Sequence, residues 1–320
     1  MPKARPKPRA TKLKDALSKL LTEQQKYKKK QAAVAAASQP PKPNFSTAAA
    51  PKHFKRPYTG LDRILLVGEG NFSFARALVE HVPGTGEGLV ATCFDSEGVL
   101  IQKYESEPSA NIAVIEAVGG TVLYEVDATK LEKCKAIKGK RFDKIVFNFP
   151  HAGAGIKDQD RNILTNQSLL LSFLTSSLPF LSSPTHHPLT DKQHGEIHIT
   201  LKSGTPYDLW NVRQLAKQTG VLAAKTAFPF EPAAYPGYEH RRTLGFKEGM
   251  SRGGNEEIED KKPKTYVFVS KEAVGEEVEK VREGMKRKRK DARAERSGAR
   301  AGRKGKRRGE KDGERNDDSE

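Results

Sequence analysis

Short apolar runs alternate with longer amphipathic stretches through the middle of the chain. Seven runs have the length and the β-branched or aromatic content of buried strands. They cover residues 64–67, 89–94, 121–126, 142–147, 196–201, 221–227 and 265–269. Helices are predicted over residues 72–82, in the segments up to residue 118, and over residues 164–181 and 209–218. This alternation indicates a mostly parallel seven-stranded α/β sheet covered on both faces, and the missing helix before the last strand predicts that this strand is antiparallel.

Charge is distributed unevenly along the 320 residues. The formal net charge is +17, to which residues 1–57 contribute +13 and residues 279–320 contribute +7, whereas residues 58–278 carry −3. We therefore expect one folded domain over 58–278 between two disordered basic tails, with at most a short helix over 13–30. Basic tails collect phosphates without reading sequence, so selectivity is expected in the core. Solubility is the alternative role of the tails.

Simple features argue against several protein classes. The two cysteines, Cys93 and Cys134, suggest neither a disulfide framework nor a metal site, and they fit a reducing compartment. Apolar runs of about 18 residues are absent, so no membrane span is expected, and the N-terminus lacks the apolar core of a signal peptide. Basic clusters at residues 286–290 and 304–308 are typical of nuclear or nucleolar targeting, and such clusters also bind RNA.

The end of the first predicted strand carries a glycine-rich turn. Ligands of open α/β sheets bind beyond the carboxyl ends of the strands. Gly68 and Gly70, which flank Glu69, would let a ligand approach the main chain there. Ser73 replaces the third glycine of a dinucleotide fingerprint, which favours a nucleoside ligand over NAD and weakens a dehydrogenase interpretation. An ordinary glycine-rich turn is the alternative.

Acidic residues end the next two strands. Asp95 follows the second strand and could accept hydrogen bonds from both ribose hydroxyls of a nucleoside. Asp127, with Ala128 after it, follows the third strand and is placed to contact an adenine edge. Either carboxylate could instead cap a helix. Three successive strand ends with fitting residues together predict a nucleoside site.

The fourth strand ends in Asn148, Phe149, Pro150 and His151. Proline restricts the backbone, so Asn148 can be held rigidly. Phe149 or His151 could stack on a flipped or single-stranded base, and His151 could move a proton. A tight turn with a surface histidine is the alternative.

Six ordered segments resemble the signatures of the eukaryotic 25S ribosomal RNA (uridine-N3)-methyltransferase family. They are residues 67–74 (VGEGNFSF), 142–153 (FDKIVFNFPHAG), 161–167 (RNILTNQ), 195–204 (GEIHITLKSG), 206–211 (PYDLWN) and 235–245 (YPGYEHRRTLG). The resemblance covers roughly residues 58–270 and implies a Rossmann-like class I methyltransferase fold. It also implies S-adenosylmethionine as the donor and a uridine of large-subunit ribosomal RNA, naked or within a pre-60S particle, as the acceptor. We expect a monomeric protein in the nucleus and nucleolus.

The resemblance assigns residues 68–70 to the cofactor loop and residues 148–151 to the reaction centre, and the strand ends and the chemistry of uridine supply the other candidates. The candidate cofactor contacts are Gly68, Glu69, Gly70, Phe72, Asp95, Asp127, Ala128 and Asn148. The candidate catalytic residues are Asn148, Pro150, His151, Lys202 and His240, and the candidate RNA contacts are Phe149, Tyr235, Tyr238, Arg241 and Arg242.

Proton removal dominates the chemistry expected at uridine. The imide nitrogen is a poor nucleophile until its proton leaves, so a base, or a cation beside the uridylate oxygens, would assist. His151 and His240 are the candidate bases, and Lys202, Arg241 and Arg242 are the candidate oxyanion partners. The aromatic and basic segment between the last two strands suits a stacked base and its phosphate, or it could simply pack against the sheet.

Two other functions stay open at this point. One is methylation of an exocyclic amine on another base, whose usual Asn- or Asp-Pro-Pro-aromatic sequence is broken here by Phe149 and His151. The other is a ribosome-assembly factor that binds S-adenosylmethionine without turnover.

Overall fold

The computed structural model describes residues 56–153, 155–156, 158–184, 194–243 and 255–289. The helix predicted over 13–30 lies outside these residues, as do nearly all of the N-terminal tail and residues 290–320 of the C-terminal one.

Seven strands form one sheet in the order β3-β2-β1-β4-β5-β7-β6. They are β1 (Ile64–Val67), β2 (Leu89–Thr92), β3 (Thr121–Leu123), β4 (Lys144–Asn148), β5 (Glu196–Leu201), β6 (Leu222–Pro229) and β7 (Lys264–Ser270). Neighbours from β3 to β5 are parallel, and β7 is antiparallel to both β5 and β6. The predicted mostly parallel sheet with an antiparallel last strand is therefore confirmed.

Helices cover both faces of the sheet. They are α1 (Ser73–His81), α2 (Glu97–Tyr104), α3 (Glu107–Ala117), α4 (Gln159–Ser177), α5 (Val212–Gln218), α6 (Glu256–Glu259) and α7 over residues 271–289. Side chains of a strand point alternately to its two faces, so β1 contributes to the core on each side of the sheet. Leu65 and Val67 pack with α4 and α5, whereas Ile64 and Leu66 pack with α1, α2 and α3. All four β1 residues are therefore buried, which explains their continuous apolar run.

Several element ends differ from the sequence-based expectation. β2 and β3 stop at Thr92 and Leu123, two and three residues early, because the chain turns there into the loops that carry Asp95 and Asp127. The helical region before residue 118 is two helices, which are separated at Glu105, where φ is 56°.

The predicted boundary at residue 278 lies inside a helix. α7 continues to residue 289, so residues 279–289 are helical rather than irregular. Val278, Val281 and Met285 on this helix are 55%, 52% and 59% exposed. The helix therefore depends on the high helix propensity of its Glu, Lys and Arg residues rather than on burial. A boundary placed where apolar residues become scarce does not detect such a helix.

Candidate functional site

Two adjoining cavities lie at the carboxyl ends of the central strands. The larger, about 520 Å³, is lined by the loops that follow β1, β2, β3 and β4. The smaller, about 330 Å³, is lined by the ends of β4 and β5 and by Tyr207 and Trp210. We call them the first and the second cavity. The residues that line both are Phe149, His151, His240, Arg241 and Thr243.

The glycine turn after β1 forms one wall of the first cavity. Gly68 has φ +70°, and a Cβ on it would lie 2.4 Å from Cε2 of Phe147. Glycine is therefore required at this position for both its conformation and its lack of a side chain. A Cβ on Gly70 would lie 3.4 Å from the Tyr104 hydroxyl, which is an ordinary contact, so Gly70 mainly leaves space in the cavity.

Phe72 does not reach the cavity. Its φ of 60° directs the chain into α1, and its side chain is fully buried in the core edge-on to Tyr124. The prediction that Phe72 contacts the cofactor is therefore wrong, because an aromatic residue in a glycine-rich loop gives no local signal of the side to which it points.

Glu69 brings a carboxyl group to the first cavity. Its Oε2 accepts a hydrogen bond of 3.3 Å from the Ala75 amide in the first turn of α1. Burial raises the pKa of Glu69 to about 7, although the bond from Ala75 opposes this shift. Glu69 can therefore be neutral or ionised near neutral pH, and a cationic ligand would favour its ionised form.

Asp95 and Asp127 line the same cavity, and Ala128 lies beside Asp127. Asp95 forms an ion pair of 2.7 Å with Lys103. Asp127 accepts hydrogen bonds from the amide and hydroxyl of Thr129, at 2.8 and 2.6 Å. These bonds hold the pKa of Asp127 below its ordinary value although burial opposes them. The capping role weighed for Asp127 is thus present, and it coexists with a position at the cavity.

Sequence reasoning missed two residues beside Asp95. Phe94 lines the first cavity although its side chain is 70% exposed, and Lys103 lines it from α2. Its position directly before Asp95, at the end of a predicted buried strand, was a usable sequence signal for Phe94. Lys103 had none, because its contact with Asp95 depends on the packing of α2.

The motif after β4 forms the boundary between the two cavities. Phe149 has φ 51°, a left-handed conformation that is uncommon for a residue with a side chain. Its ring lies 4.7 Å from that of His240 and 5.5 Å from that of Phe230, between ring centroids. Pro150 is buried and lines the second cavity. Strained backbone of this kind concentrates at functional sites.

The two candidate bases are poorly suited to accept a proton. Nδ1 of His151 accepts a hydrogen bond of 2.9 Å from the Gly153 amide, so the neutral ring carries its proton on Nε2 and acts there as a donor. Burial and the nearby Lys202 lower the pKa of His151. Burial, with Lys202 again contributing, lowers the pKa of His240 to about 3, which makes it a very weak base. The geometry favours hydrogen-bond donation by His151 over the basic role that the sequence left open.

The predicted cations near the second cavity are already paired. Arg241 forms two bonds, of 2.9 and 2.8 Å, with the Glu107 carboxylate, and it also contacts Glu239. Lys202 and Arg242 bind the two oxygens of Glu257, at 2.7 and 2.8 Å. These pairs fix the segment over residues 238–243 between the cavities. Arg241 is 9% exposed in its side chain, so it anchors this segment rather than offering a free RNA contact.

The two tyrosines that were predicted to contact RNA are both buried. Tyr235 is 2% exposed and stacks on Phe230 with ring centroids 5.5 Å apart, and it lines neither cavity. The prediction that Tyr235 stacks on RNA is therefore wrong, and the alternative of packing against the sheet is correct for it. Tyr238 is 8% exposed and packs edge-on against Phe74, and it also lines the first cavity.

The described part of the chain contains neither a membrane-spanning helix nor a cluster of metal ligands. Within it, no helix is long and apolar enough to cross a membrane. No group of three or more His, Cys, Asp or Glu residues within that part could hold a metal ion.

The first cavity fits S-adenosylmethionine. At Gly68 the main chain forms the cavity wall with no side chain in the way. Asp95 lies after β2, where a carboxylate can accept from ribose hydroxyls, and Asp127 and Ala128 lie after β3, where they can contact an adenine edge. Together with the strand order, these features define a class I S-adenosylmethionine-dependent methyltransferase.

A family model described as rRNA (uridine-N3-)-methyltransferase BTM5-like matches residues 65–242, more than half of the chain. The protein belongs to this family. The resemblance inferred from six sequence segments is thereby confirmed.

A named yeast relative supports the same assignment. The 25S rRNA (uridine(2634)-N(3))-methyltransferase of Saccharomyces cerevisiae is 31% identical over 228 residues, which cover 58% of this chain and 68% of the yeast protein. An uncharacterized protein of Arabidopsis thaliana is 35% identical over 193 residues, or 59% of this chain and 86% of that protein. A Methanococcus jannaschii fibrillarin structure aligns at a TM-score of 0.36 and 10% identity over 68% of this chain and 70% of its own, which is too low to support a functional argument.

Proposed function

We propose that this protein methylates N3 of a uridine in large-subunit ribosomal RNA during ribosome biogenesis, with S-adenosylmethionine as the donor. The observation that carries the proposal is the meeting of the two cavities at Phe149 and His151. A donor in the first cavity and a base in the second would face each other there. Family membership, and the name of the yeast relative, support uridine in large-subunit ribosomal RNA as the acceptor.

The chain's own residues hold the donor in the first cavity. Main chain at Gly68 and Gly70 would lie against it, Asp95 would accept hydrogen bonds from its ribose hydroxyls, and Asp127 would lie at its adenine edge. Glu69, in its ionised form, is suited to a cationic group of the ligand. When bound, S-adenosylmethionine supplies an electrophilic methyl group on a sulfonium sulfur.

The second cavity favours the uridylate form of the target base. Loss of the N3 proton to solvent water places negative charge on the two carbonyl oxygens of uracil, and donors around those oxygens stabilise it. His151 donates through Nε2, and Lys202 supplies a positive charge that Glu257 holds in position. Trp210 lines this cavity, and its Nε1 has no acceptor among the described residues. Stabilisation of the anion, rather than proton removal by a histidine, is the chemistry that this set of groups supports.

Incubation with labelled S-adenosylmethionine and unmodified ribosomal RNA tests the proposal. Nucleoside mass spectrometry is expected to show 3-methyluridine in large-subunit RNA, at one mapped position. A methylated adenosine or cytidine would instead support the alternative of another base. Cofactor binding by calorimetry without any methylated nucleoside, on naked RNA and on pre-60S particles alike, would support the assembly-factor alternative.

The basic segments supply affinity for RNA and nucleolar targeting in this proposal. Residues 286–289 at the end of α7 are exposed and carry four positive charges. Replacing the five basic residues at 286–290 by Gln is expected to weaken RNA binding and reduce its salt dependence. The same variant, as a fluorescent fusion, is expected to leave the nucleolus. An unchanged salt dependence would place the RNA-binding charge elsewhere.

Assembly state and substrate particle are separate parts of the proposal. We propose a monomer that acts on large-subunit ribosomal RNA, either naked or within a pre-60S particle. Light scattering coupled to size exclusion measures the assembly state, and a comparison of activity on naked RNA and on pre-60S particles identifies the substrate. A stable dimer, or activity on neither substrate, would contradict the corresponding part.

A further inference from the structure

Two aromatic side chains among the described residues line the second cavity without lining the first. They are Tyr207 and Trp210, whereas Phe149, His151 and His240 line both cavities. Trp210 is 1% exposed, so its ring belongs to the core. Tyr207 is only partly buried. It therefore presents accessible surface to the space in which the proposed target base would lie.

The aromatic residues that were predicted to contact RNA are less available. The ring of Phe149 packs against two other rings, whose centroids lie 4.7 and 5.5 Å away. Tyr235 lines neither cavity, and Tyr238 lines only the first. Of these rings and that of Tyr207, the ring of Tyr207 combines a place in the second cavity with the exposure that a stacked base requires.

The chain holds the Tyr207 ring in place before any ligand binds. Tyr207 begins a short 3₁₀ turn, Tyr207–Trp210, that follows β5. Asp208 closes the start of this turn, because its amide donates to the Gly204 carbonyl at 3.1 Å and its carboxylate accepts from the Gly204 amide at 3.0 Å. The rings of Tyr207 and Trp210 meet edge to face with centroids 5.0 Å apart. A ring that is already fixed loses little conformational freedom when a base stacks on it.

Groups suited to the edge of a base surround this ring. Nζ of Lys202 lies over the Tyr207 ring at 6.0 Å from its centroid, and Glu257 holds that ammonium at 2.7 Å. His151 lines the same cavity, with its ring centroid 6.1 Å from that of Trp210. The carbonyl oxygens of uracil lie at its edge, whereas its faces are apolar. A base stacked on Tyr207 would therefore have hydrogen-bond donors around its edge.

We propose that Tyr207 is the side chain on which the target base stacks in the second cavity. The inference rests on the proposed function and names the surface that holds the base. Single-stranded and flipped bases are commonly held by aromatic side chains, and such stacking tolerates any base because every base has a π-face. Tyr207 thus supplies affinity for an unstacked base, and the donors at its edge supply the preference for uracil.

A target base that is not planar tests the stack. 5,6-Dihydrouridine keeps both carbonyls and the N3 proton of uridine but loses the flat ring. Dissociation constants are measured for a short RNA with uridine or dihydrouridine at the mapped position, with S-adenosylhomocysteine present so that no methyl group is transferred. We expect the preference for uridine to be about tenfold greater in the wild type than in Tyr207→Leu. Both proteins bind the same two RNAs, so the effect of dihydrouridine on the free RNA cancels.

Two variants serve as controls for this comparison. Tyr207→Phe keeps an aromatic ring and is expected to retain the preference to within about twofold. Leu209→Ala changes the same turn, and it should retain the preference because Leu209 is 49% exposed and lines neither cavity. The calorimetric affinity for S-adenosylmethionine should be the same in all three variants, since Tyr207 and Leu209 do not line the first cavity.

The fluorescence of Trp210 reports on the second cavity in the wild type. Trp210 is the one tryptophan of the chain, and it lines this cavity in contact with Tyr207. With S-adenosylhomocysteine present throughout, we expect the uridine RNA to quench its emission more strongly than the dihydrouridine RNA when both are saturating. Emission that the bound uridine RNA leaves unchanged would place the base outside this cavity and overturn the inference.

The outcomes separate this inference from the proposed function. Failure of the wild type to form 3-methyluridine on naked RNA and on pre-60S particles alike would contradict the proposed function. If the wild type forms it, an equal preference for uridine in the wild type and in Tyr207→Leu overturns the inference. A preference lost in His151→Ala but kept in Tyr207→Leu does the same and makes the histidine the stacking surface.

Two further measurements keep the test decisive. Should Tyr207→Leu not fold, as judged by circular dichroism, the fluorescence titration of the wild type decides alone. Should activity require the pre-60S particle, the KM for particles is compared between Tyr207→Leu and Tyr207→Phe. We expect it to rise about tenfold in the leucine variant only, and equal KM values in the two variants would overturn the inference.

Discussion

The two ends of the central sheet treat their polar groups differently. At the amino end, the Glu196 carboxylate binds Lys144 at 2.6 Å, Lys225 at 2.9 Å and His198 at 3.0 Å. Hydrogen bonding to His198 and the charge of Lys144 hold the pKa of Glu196 well below its ordinary value, although burial opposes them. At the carboxyl end, Nδ2 of Asn148 is buried without a partner among the described residues.

The difference indicates which end is built for stability and which for a ligand. Polar groups at the amino end satisfy one another, whereas Nδ2 of Asn148 and Nε1 of Trp210 at the carboxyl end have no partner among the described residues. Left-handed Phe149 adds backbone strain at the same end. Arg63 is an exception at the amino end, since its Nη2 also has no partner within the described part of the chain, but its Nε binds Asp143 at 3.3 Å.

The largest expected effect is on folding, at the amino end. Glu196→Ala leaves Lys144 nearly buried without its counter-charge, so the free energy of unfolding should fall by about 3 to 5 kcal/mol in urea denaturation. Lys225→Ala, at a side chain that is 40% exposed, is the control and should cost less than about 1 kcal/mol. Cofactor affinity of the folded fraction should not change. Equal stability of Glu196→Ala and wild type would remove the contrast between the two ends.

The next effect concerns catalysis at the carboxyl end. His151→Ala removes the donor at Nε2, and we expect kcat to fall about hundredfold while calorimetric affinity for S-adenosylmethionine persists. His81→Ala, at the end of α1, is the control and should keep its turnover. Unchanged turnover in His151→Ala would exclude this histidine from the reaction.

Gly68→Ala tests the wall of the first cavity. The added Cβ would lie 2.4 Å from the Phe147 ring at a φ of +70°, so ring and turn must shift, and we expect about thirtyfold weaker cofactor binding. Gly139 has φ +77° with nothing within 4 Å of its Cβ position, so Gly139→Ala matches the conformational strain without the contact. Similar affinity losses in both variants would show that strain alone is responsible.

The smallest effect is the pH dependence of stability that Glu69 causes. Its pKa is about 7 in the folded protein against 4.5 for the free group, so the fold disfavours the ionised form. Stability is therefore lost as the pH rises from 4.5 through 7. Without cofactor, Glu69→Gln should exceed the wild type in unfolding free energy by about 1 to 2 kcal/mol at pH ~8, and by nothing at pH ~4.5. Equal stability at both pH values would contradict the raised pKa of Glu69.

The sequence predicts those features that depend on local pattern. β1 and β5 have the predicted bounds because continuous burial produces a continuous apolar run. The strand ends then locate Gly68, Asp95 and Asp127 at one cavity through topology alone.

Contacts between distant segments are not predictable in this way. Glu107 and Arg241 are separated by 134 positions, and no local pattern links them. Phe72 and Tyr235 were misassigned because an aromatic residue in a loop can point to the core or to a ligand with the same local sequence. The Thr200 hydroxyl bonds to Oδ1 of Asn148 at 2.7 Å and to the Thr265 hydroxyl at 2.9 Å, and these contacts need the register of β4, β5 and β7, which periodicity does not determine.

The segment over residues 238–243 is a partition shared by two compartments. Because His240, Arg241 and Thr243 line both cavities, a movement of this partition alters both volumes together. An occupant that displaces it on one side changes the affinity on the other, and thermodynamic reciprocity makes the coupling equal in both directions. The affinity for the donor and the affinity for the target nucleotide would thereby depend on the same stretch of main chain.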